Sequence, residues 1–461
     1  MFKQKLLSTI TERFDSLLEK GSETFDDLFS RDVHHVVITG LSRSGKSMFF
    51  TTLMALLGQR VNQSADHLPL LQSLPKELVE SFELRPIAGQ EGFPFDACLE
   101  RLQNNQWPAS TDQVYGFELV LRLKPTNAFK RLINSTNQVV FRFYDYPGEW
   151  LTDLPMLHKE FVNWSDTARS QQLNPPQKFY AQGWQEYVAQ FDFDLTPDAA
   201  RINEYVQNYR RYLQVAKENG ITLLQPGSML MDTHVFNWQL NGFAPLPSSI
   251  SSDPAHPWTQ VFTENFEQFK TLWLMPLQET YFAKADKQII MLDLHEGLSH
   301  SRAHLSQLKE TISNLANSFA YGANKWYKPK ILFGEEISKV AFVATKADLI
   351  PQAQQQNFMS LLQDITAGVR AHLKEADVDF QHFLISAIQV TDQGACDNCL
   401  RFTDTDGHYQ EWELEPLPRA LKELENNQTY PVMPAAIPKD VIARMNHAQG
   451  IDRLIEYLIK S

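Results

Sequence analysis

Cysteine is scarce in this sequence: its 461 residues include only Cys98, Cys396 and Cys399. Three thiols are too few for a disulfide framework, so we expect a protein of a reducing compartment. Long apolar runs are also missing, because no stretch approaches the roughly 20 residues of a transmembrane helix. The first residues, MFKQKLLSTITERF, lack the apolar segment of a signal peptide. These absences predict a cytoplasmic protein without a transmembrane segment.

Positive charge is in deficit. Lysine and arginine number 42 against 55 aspartates and glutamates, for a net charge of −13. A general nucleic-acid-binding surface needs basic side chains to neutralise phosphates, so this balance argues against nucleic acid as a partner. Hydrophobic residues at 43% and charged residues at 21% are typical of a globular protein.

Residues 40–47, GLSRSGKS, match the phosphate-loop pattern G-x-x-x-x-G-K-[ST]. A short β-branched run precedes the loop, and an apolar helical run ending at Gly58 follows it. Glycine at the turns lets several backbone N–H groups point at one phosphate, and the following helix N-terminus adds partial positive charge. We expect Lys46 to contact the β and γ phosphates and Ser47 to bind Mg²⁺. The predicted phosphate-binding residues are Gly40, Ser42, Arg43, Ser44, Gly45, Lys46, Ser47 and Met48.

Residues 139–149, VVFRFYDYPGE, read as a second core strand that ends in Asp145. An acidic residue at this position holds Mg²⁺, usually through water, and the N–H of Gly148 would sense the γ phosphate. Residues 115–123, YGFELVLRL, are predicted to pair antiparallel with that strand.

Residues 339–349, KVAFVATKADL, form a third predicted strand that runs into the pattern [NT]-K-x-D. The carboxylate of Asp348 would accept two N–H groups of guanine, while the stem of Lys346 packs along the base. Adenine presents an acceptor there, which leaves a buried carboxylate facing a lone pair. A further strand leads into Ser386 and Ala387, where a backbone N–H would meet guanine O6. The predicted base-binding residues are Thr345, Lys346, Asp348, Ser386, Ala387 and Ile388.

The predicted catalytic residues are Lys46, Glu149, Arg43 and Thr111. Glu149 stands where small GTPases carry a water-orienting glutamine, and the alternative is that it turns away and caps a helix. Arg43 either contacts the phosphates or pairs with an acidic neighbour. We expect Thr111, or alternatively its neighbour Ser110, to close over Mg²⁺ together with Ser47 and Asp145. A carboxylate near the γ phosphate is unfavourable unless its charge is offset, so slow hydrolysis is expected.

The predicted fold is α/β: a mostly parallel sheet with helices on both faces, as in P-loop nucleotide-binding domains. Apolar residues recur at helical spacing from Ile202 to Ala216, which predicts a helix with a buried face that ends at Gly220. Because residues 151–286 begin beside the γ-phosphate sensor, they are placed to move on hydrolysis and to contact a protein effector. The predicted organisation is an N-terminal helical segment (1–31), a G-type domain (32–58, 111–150 and 287–461), an insertion before Thr111 (59–110) and a helical insertion domain (151–286). The insertion 59–110, which is mixed polar and apolar with scattered prolines, is expected to form helices and loops.

Two small clusters leave alternatives open. Asp293, His295 and Glu296 follow a predicted strand and suit either a metal or acid/base site or a structural role beside the nucleotide. Cys396 and Cys399 form a C-x-x-C pair without a second pair, which fits a surface loop, half a zinc site or a redox pair. Residues 401–440 read as irregular.

The ordered set GLSRSGKS, DYPGEW, TKAD and SA resembles the GTPase branch of P-loop proteins. GLSRSGKSMF, GFPFDACLERLQNNQWPAST, DYPGEWLTDLPML, FVNWS and LDLHEGL further resemble the YcjX-like family of bacterial stress-associated NTPases, from about Asp32 to the C-terminal helix. The resemblance implies a cytoplasmic, stress-induced protein that binds GTP and GDP and hydrolyses GTP. A phosphotransferase and a nucleotide-stabilised scaffold without hydrolysis are the alternatives, and the short TKAD pattern does not exclude ATP.

Overall fold

The computed structural model describes residues 32–41, 43–58, 79–123, 138–231, 236–316, 318–319, 337–426 and 428–459. The predicted N-terminal helical segment 1–31, Ser42 and residues 59–78 of the insertion before Thr111 lie outside these ranges. Every helix within them is too short or too polar to span a bilayer.

A seven-stranded sheet forms the centre of the protein. Its strands are β1 (Asp32–Gly40), β2 (Val79–Pro86), β3 (Tyr115–Leu123), β4 (Gln138–Asp145), β5 (Lys287–Leu292), β6 (Lys339–Ala344) and β7 (Asp379–Leu384). Their order is β2-β3-β4-β1-β5-β6-β7. From β4 to β7 all neighbours are parallel, whereas β2 and β3 continue the sheet antiparallel to β4. The predicted antiparallel pairing of β3 with β4 is confirmed.

The central parallel strands β5 and β6 are buried along their whole length because the sheet is covered on both faces. In β1, Val37 packs into one core and its neighbours Val36 and Ile38 into the other. The same alternation places Ile290 of β5 on the first face and Ile289 on the second. The predicted α/β sheet with two covered faces is therefore confirmed.

Helices follow most strands and fill the long segment between β4 and β5. They are α1 (Lys46–Gly58), α2 (Phe95–Gln103), α3 (Gly148–Leu151), α4 (Phe161–Leu173), α5 (Gln182–Gln190), α6 (Ala199–Glu218), α7 (Trp238–Asn241), α8 (Ser248–Ser251), α9 (Pro257–Phe269), α10 (Leu294–His300), α11 (Arg302–Ala316), α12 (Gln355–Ile365), α13 (Ala367–Glu375), α14 (Val441–Asn446) and α15 (Ile451–Ile459). Helix α9 continues through π-helical turns at Lys270–Leu274 and Gln278–Phe282.

The helices between β4 and β5 share one hydrophobic core with the sheet face that they cover. Helix α6 buries the stripe predicted from the sequence, and Tyr205, Tyr209 and Leu213 are each at most 1% exposed. Trp150, just after β4, meets Trp273 of the α9 extension edge to face, with 4.7 Å between ring centroids. Because burial of aromatic rings dominates core energetics, these helices are held firmly against that face of the sheet.

Two regions differ from the sequence expectations. Strand β2 makes part of the segment 59–110 an edge of the central sheet, where the sequence suggested only helices and loops. Within 401–440, expected to be irregular, strands of a second sheet occur. This small antiparallel sheet contains β8 (Thr391–Gln393), β9 (Cys399–Thr403) and β10 (Tyr409–Glu413).

Cys396 and Cys399 lie at the turn between β8 and β9, where a disulfide joins them. Their sulfur atoms therefore do not form half a zinc site, and that alternative is wrong. His408 instead lies beside Asp404 and Asp406 in the β9–β10 turn. Cys98 is a buried free thiol.

Candidate nucleotide site

The carboxyl ends of β1, β4, β5, β6 and β7 meet at one edge of the sheet, because these strands are parallel. Every predicted site motif follows one of these strands except the segment that carries Thr111, which precedes β3. Ligands of open α/β sheets bind at this edge. The topology therefore collects motifs that are spread over more than 300 residues of sequence.

The phosphate loop turns through left-handed backbone at two positions, one glycine and one arginine. Gly45 has a φ of +89° and Arg43 a φ of 65°, both left-handed, so the glycine supplies a conformation that other residues adopt at a cost. Lys46 opens α1 and folds back across the loop, donating to the carbonyls of Gly40 at 2.6 Å and Leu41 at 3.2 Å. The Lys46 side chain is 6% exposed. Burial lowers its pKa, while the charges of Asp145 and Glu149 oppose the shift.

The three predicted metal ligands come together beside this loop. Thr111 donates to Asp145 Oδ2 at 2.9 Å, and its hydroxyl lies 3.1 Å from that of Ser47. The other carboxylate oxygen of Asp145 is buried without a hydrogen-bond partner among the described residues. Burial raises the pKa of Asp145 to about 6, although the charge of Lys46 and the Thr111 bond oppose this. A buried carboxylate with an open oxygen beside two hydroxyls is a donor set that fits Mg²⁺.

The base-recognition motif lies at the ends of β6 and β7. Asp348 is 8% exposed, and its carboxylate accepts from the hydroxyl of Ser386 at 2.9 Å and from the N–H of Val390 at 3.1 Å. Burial raises the pKa of this carboxyl, and the two hydrogen bonds oppose the rise. Each carboxylate oxygen has two lone pairs, so Asp348 is fixed in place while keeping acceptor capacity.

Asp293 and His295 hold the base-recognition loop in place. Lys346 has a left-handed φ of 58°, and its ammonium pairs with Asp293 Oδ2 at 2.5 Å. His295 Nε2 lies 3.2 Å from the carbonyl oxygen of Lys346. Burial lowers the pKa of His295 to about 4, so the ring is neutral at neutral pH. Of the two alternatives for this cluster, these contacts favour the structural role beside the nucleotide.

One cavity of about 520 Å³ joins the two halves of the site, within the 300–1,000 Å³ typical of ligand sites. The predicted residues that line it are Arg43, Ser44, Gly45, Lys46, Ser47, Met48, Thr111, Gly148, Glu149, Thr345, Lys346, Asp348, Ala387 and Ile388. Gly40, Asp145 and Ser386 lie behind the wall; Asp145 holds Thr111, and Ser386 holds Asp348.

Sequence reasoning missed part of the lining on the base side. Val390, Val432, Met433 and Ala435 border the cavity near Asp348. Met433 packs with residues of the small sheet, which thus supports this wall. The only signal in the sequence was their apolar character within a segment otherwise rich in turn residues.

Glu149 has a partner that the sequence did not suggest. Its side chain is 9% exposed and its Oε1 lies 2.6 Å from Nζ of Lys217 in α6. Burial by itself would raise the pKa of Glu149, but the charge and hydrogen bond of Lys217 more than offset it, so the pKa falls below its usual value. Arg43 is exposed and borders both the nucleotide cavity and a small neighbouring cavity.

A phosphate loop between β1 and α1 on a mostly parallel sheet, with Asp145 and TKAD motifs at its carboxyl edge, defines a P-loop fold of the GTPase-like type. The chain belongs to the YcjX-like family, DUF463, whose model matches residues 35–460.

Two curated relatives are both named Ras-like GTPase YcjX. The Escherichia coli protein is 27% identical over 374 residues, which cover 78% of this chain and 79% of the relative. The Shewanella oneidensis protein is 24% identical over 408 residues, covering 84% of this chain and 82% of the relative.

Proposed function

We propose that the protein binds GTP and GDP with Mg²⁺, hydrolyses GTP slowly to GDP and phosphate, and acts as a molecular switch in a stress response. The observation that carries this proposal is the single cavity bordered by Lys46 and Thr111 at one end and Asp348 at the other. The names of the two relatives support the hydrolytic activity. The stress role follows from the family resemblance.

Each end of the cavity has a chemical task. Lys46 and the loop N–H groups would bind the β and γ phosphates. Ser47, Thr111 and Asp145 would hold Mg²⁺, which neutralises phosphate charge when bound. Asp348 would accept the two guanine N–H groups, and Lys346, anchored by Asp293, would pack along the base.

Slow turnover follows from the residue beside the γ-phosphate position. Glu149 carries a negative charge at the position where small GTPases carry a neutral glutamine. Since hydrolysis depends on orienting water and neutralising charge, this arrangement supports binding of GTP more strongly than rapid hydrolysis.

A protein effector would contact the helical insertion, residues 151–286. The insertion joins β4 through the turn that contains Gly148 and Glu149, so a change at the γ phosphate reaches it directly. This is the arrangement expected of a switch in which nucleotide state alters a docking surface.

Phosphate release from GTP and ATP by the purified protein tests the activity. Lys46→Ala should abolish GTP turnover because it removes the phosphate contact. Asp348→Asn should weaken GTP use and favour xanthosine triphosphate, since the Asn amide donates to the carbonyl that xanthine carries in place of the guanine amino group. Recovery with xanthosine triphosphate also separates base recognition from misfolding.

Three results would point elsewhere. Equal use of ATP, unchanged by Asp348→Asn, would refute guanine selectivity. Transfer of the γ phosphate to an acceptor, with release to water only as a side reaction, would favour a phosphotransferase. Tight GTP binding without phosphate release would favour a scaffold.

A further inference from the structure

Glu149 stands between two cavities. Together with Arg43, Ser44 and Gly148 it borders both the nucleotide cavity and a smaller cavity of about 80 Å³ between the phosphate loop and the helical insertion. The smaller cavity has room for several waters. Glu149 directly follows Gly148 and therefore lies at the γ-phosphate end of the proposed GTP site.

A carboxylate at that position carries an electrostatic cost. The γ phosphate and Glu149 are both negative, and their repulsion is strong where water is largely excluded. Glu296 also borders the smaller cavity, as does Asp293, whose charge is paired with Lys346. The repulsion is reduced only if a cation lies close to Glu149.

Lys46 also lies near enough to act on Glu149, but the cation that pairs directly with Glu149 is Lys217, and the insertion fixes where it lies. It occupies the last turn of α6, one residue after the fully buried Ala216. Gly220 ends this region with a φ of +77°, and it packs so tightly on His300 that an added Cβ would lie 2.4 Å from the ring. Lys217 Nζ thereby reaches Glu149 Oε1 at 2.6 Å across 68 residues of sequence.

The backbone that directly follows Glu149 is held by contacts that do not involve Lys217. Thr152 donates to the carbonyl of Leu224 at 2.9 Å, and Asp153 accepts from Gly227 N at 2.6 Å. Removing the Lys217 ammonium therefore changes the charge beside Glu149 while leaving these backbone contacts in place. This separation makes the role of the charge testable.

We propose that Lys217 is a positioning residue which the helical insertion supplies to the nucleotide site: it neutralises Glu149 and aims its carboxylate at the γ-phosphate end. This inference rests on the proposed GTP hydrolysis. It makes hydrolysis depend on the placement of the insertion, so an effector that shifts α6 would change the turnover rate.

The test compares Lys217→Met, Lys217→Arg, Glu149→Gln and the double variant Glu149→Gln/Lys217→Met. Lys217→Met should lower kcat about tenfold or more, because a misplaced Glu149 loses part of the rate enhancement that a positioned acid–base group provides. It should also weaken GTP binding more than GDP binding, because only GTP has the γ phosphate that meets the unneutralised carboxylate. Lys217→Arg should recover much of the activity because it retains the charge.

The double variant separates positioning from general stability. In the Glu149→Gln background, Lys217→Met should have little further effect, since no carboxylate remains to neutralise. Lys270→Met is the matched control: Lys270 is another paired lysine of the insertion, 2.9 Å from Glu267. It should leave kcat and the ratio of GTP to GDP affinity unchanged.

Several results would overturn the proposal. One is a Lys217→Met protein with wild-type kcat and an unchanged GTP to GDP affinity ratio, and another is an equal loss in the Glu149→Gln background. If Lys217→Met fails to fold, the double variant should restore folding by removing the uncompensated charge, and absence of this rescue also overturns it. Failure of the proposed GTPase function would give a different result: the wild-type protein would show no GTP turnover that depends on Lys46.

Discussion

Asp153 offers the sharpest test of how the insertion is attached to the nucleotide site. It is 0% exposed, and its two carboxylate oxygens accept from the backbone N–H groups of Gly227 at 2.6 Å and Ser228 at 2.9 Å. Asp153→Asn keeps one acceptor oxygen and turns an N–H₂ group towards the other donor. One buried N–H is left unsatisfied, which costs about 1–3 kcal/mol of unfolding free energy.

Denaturant unfolding monitored by tryptophan fluorescence above pH 7, where Asp153 is ionised, measures this cost. The matched control is Asp198→Asn, because Asp198 also accepts a helix N-terminal N–H, that of Arg201 at 2.9 Å, but is exposed. Asparagine caps helices about as well as aspartate, so the control should change stability by less than about 0.5 kcal/mol. Equal effects of the two substitutions would refute the structural reasoning.

The pH dependence adds an independent check. Burial raises the pKa of Asp153 to about 7, and its hydrogen bonds with Ser228 and Gly227 oppose the shift. The unfolded chain releases this proton near pH 4, so the folded state holds an extra proton between about pH 4 and pH 7. This contribution to stability is fully present below about pH 4 and is lost as pH rises through about 7. The difference in unfolding free energy between wild type and Asp153→Asn should therefore shrink as the pH rises from about 4 to about 7. A difference that stays constant over this range would contradict the raised pKa of Asp153.

Two further substitutions test close contacts. Gly227→Ala would place a Cβ 2.3 Å from the carbonyl oxygen of Glu149, so it should lower the free energy of unfolding by about 1–3 kcal/mol. Gly183 lies in a helix with nothing within 4 Å of an added Cβ, so Gly183→Ala should raise the free energy of unfolding by about 0.5–1 kcal/mol in the same denaturant titration. Ser386→Ala removes the hydroxyl that holds Asp348 and should weaken GTP binding about tenfold, as expected for loss of a charged hydrogen bond. Calorimetric titration measures the affinities, and an equal weakening of ATP binding would contradict a role in base recognition.

Local patterns made much of the site predictable. The phosphate loop follows from GLSRSGKS because its glycines, lysine and serine act within eight consecutive residues. The sheet followed from apolar strands placed before each motif. Lys217 could not be predicted in the same way, because its surroundings in α6 indicate only a helix end. Its proximity to Glu149 depends on how the insertion folds back over the sheet, and the spacing of residues along the sequence does not indicate that contact.

The wall near Asp348 was hidden for a similar reason. Val390 and Met433 are single apolar residues in segments without helical or strand periodicity, and they border the cavity only because the small sheet packs there. Strand β2 was missed because the segment 59–110 mixes polar and apolar residues with scattered prolines, a composition that indicated helices and loops.

The position of β1 in the sheet also determines when the sheet and the site can be completed during synthesis. β1 pairs with β4 on one side and with β5 on the other, and β5 is made only after the whole helical insertion. Lys46 leaves the ribosome roughly 300 residues before Asp348, which at about 5–20 residues per second is a delay of roughly 15 to 60 s. During that interval the nascent chain has a phosphate loop but no means of recognising the base. If the proposed guanine-nucleotide binding is correct, the nucleotide can stabilise only a chain that has grown past Asp348, and the edge of β1 that pairs with β5 stays open until β5 has been made.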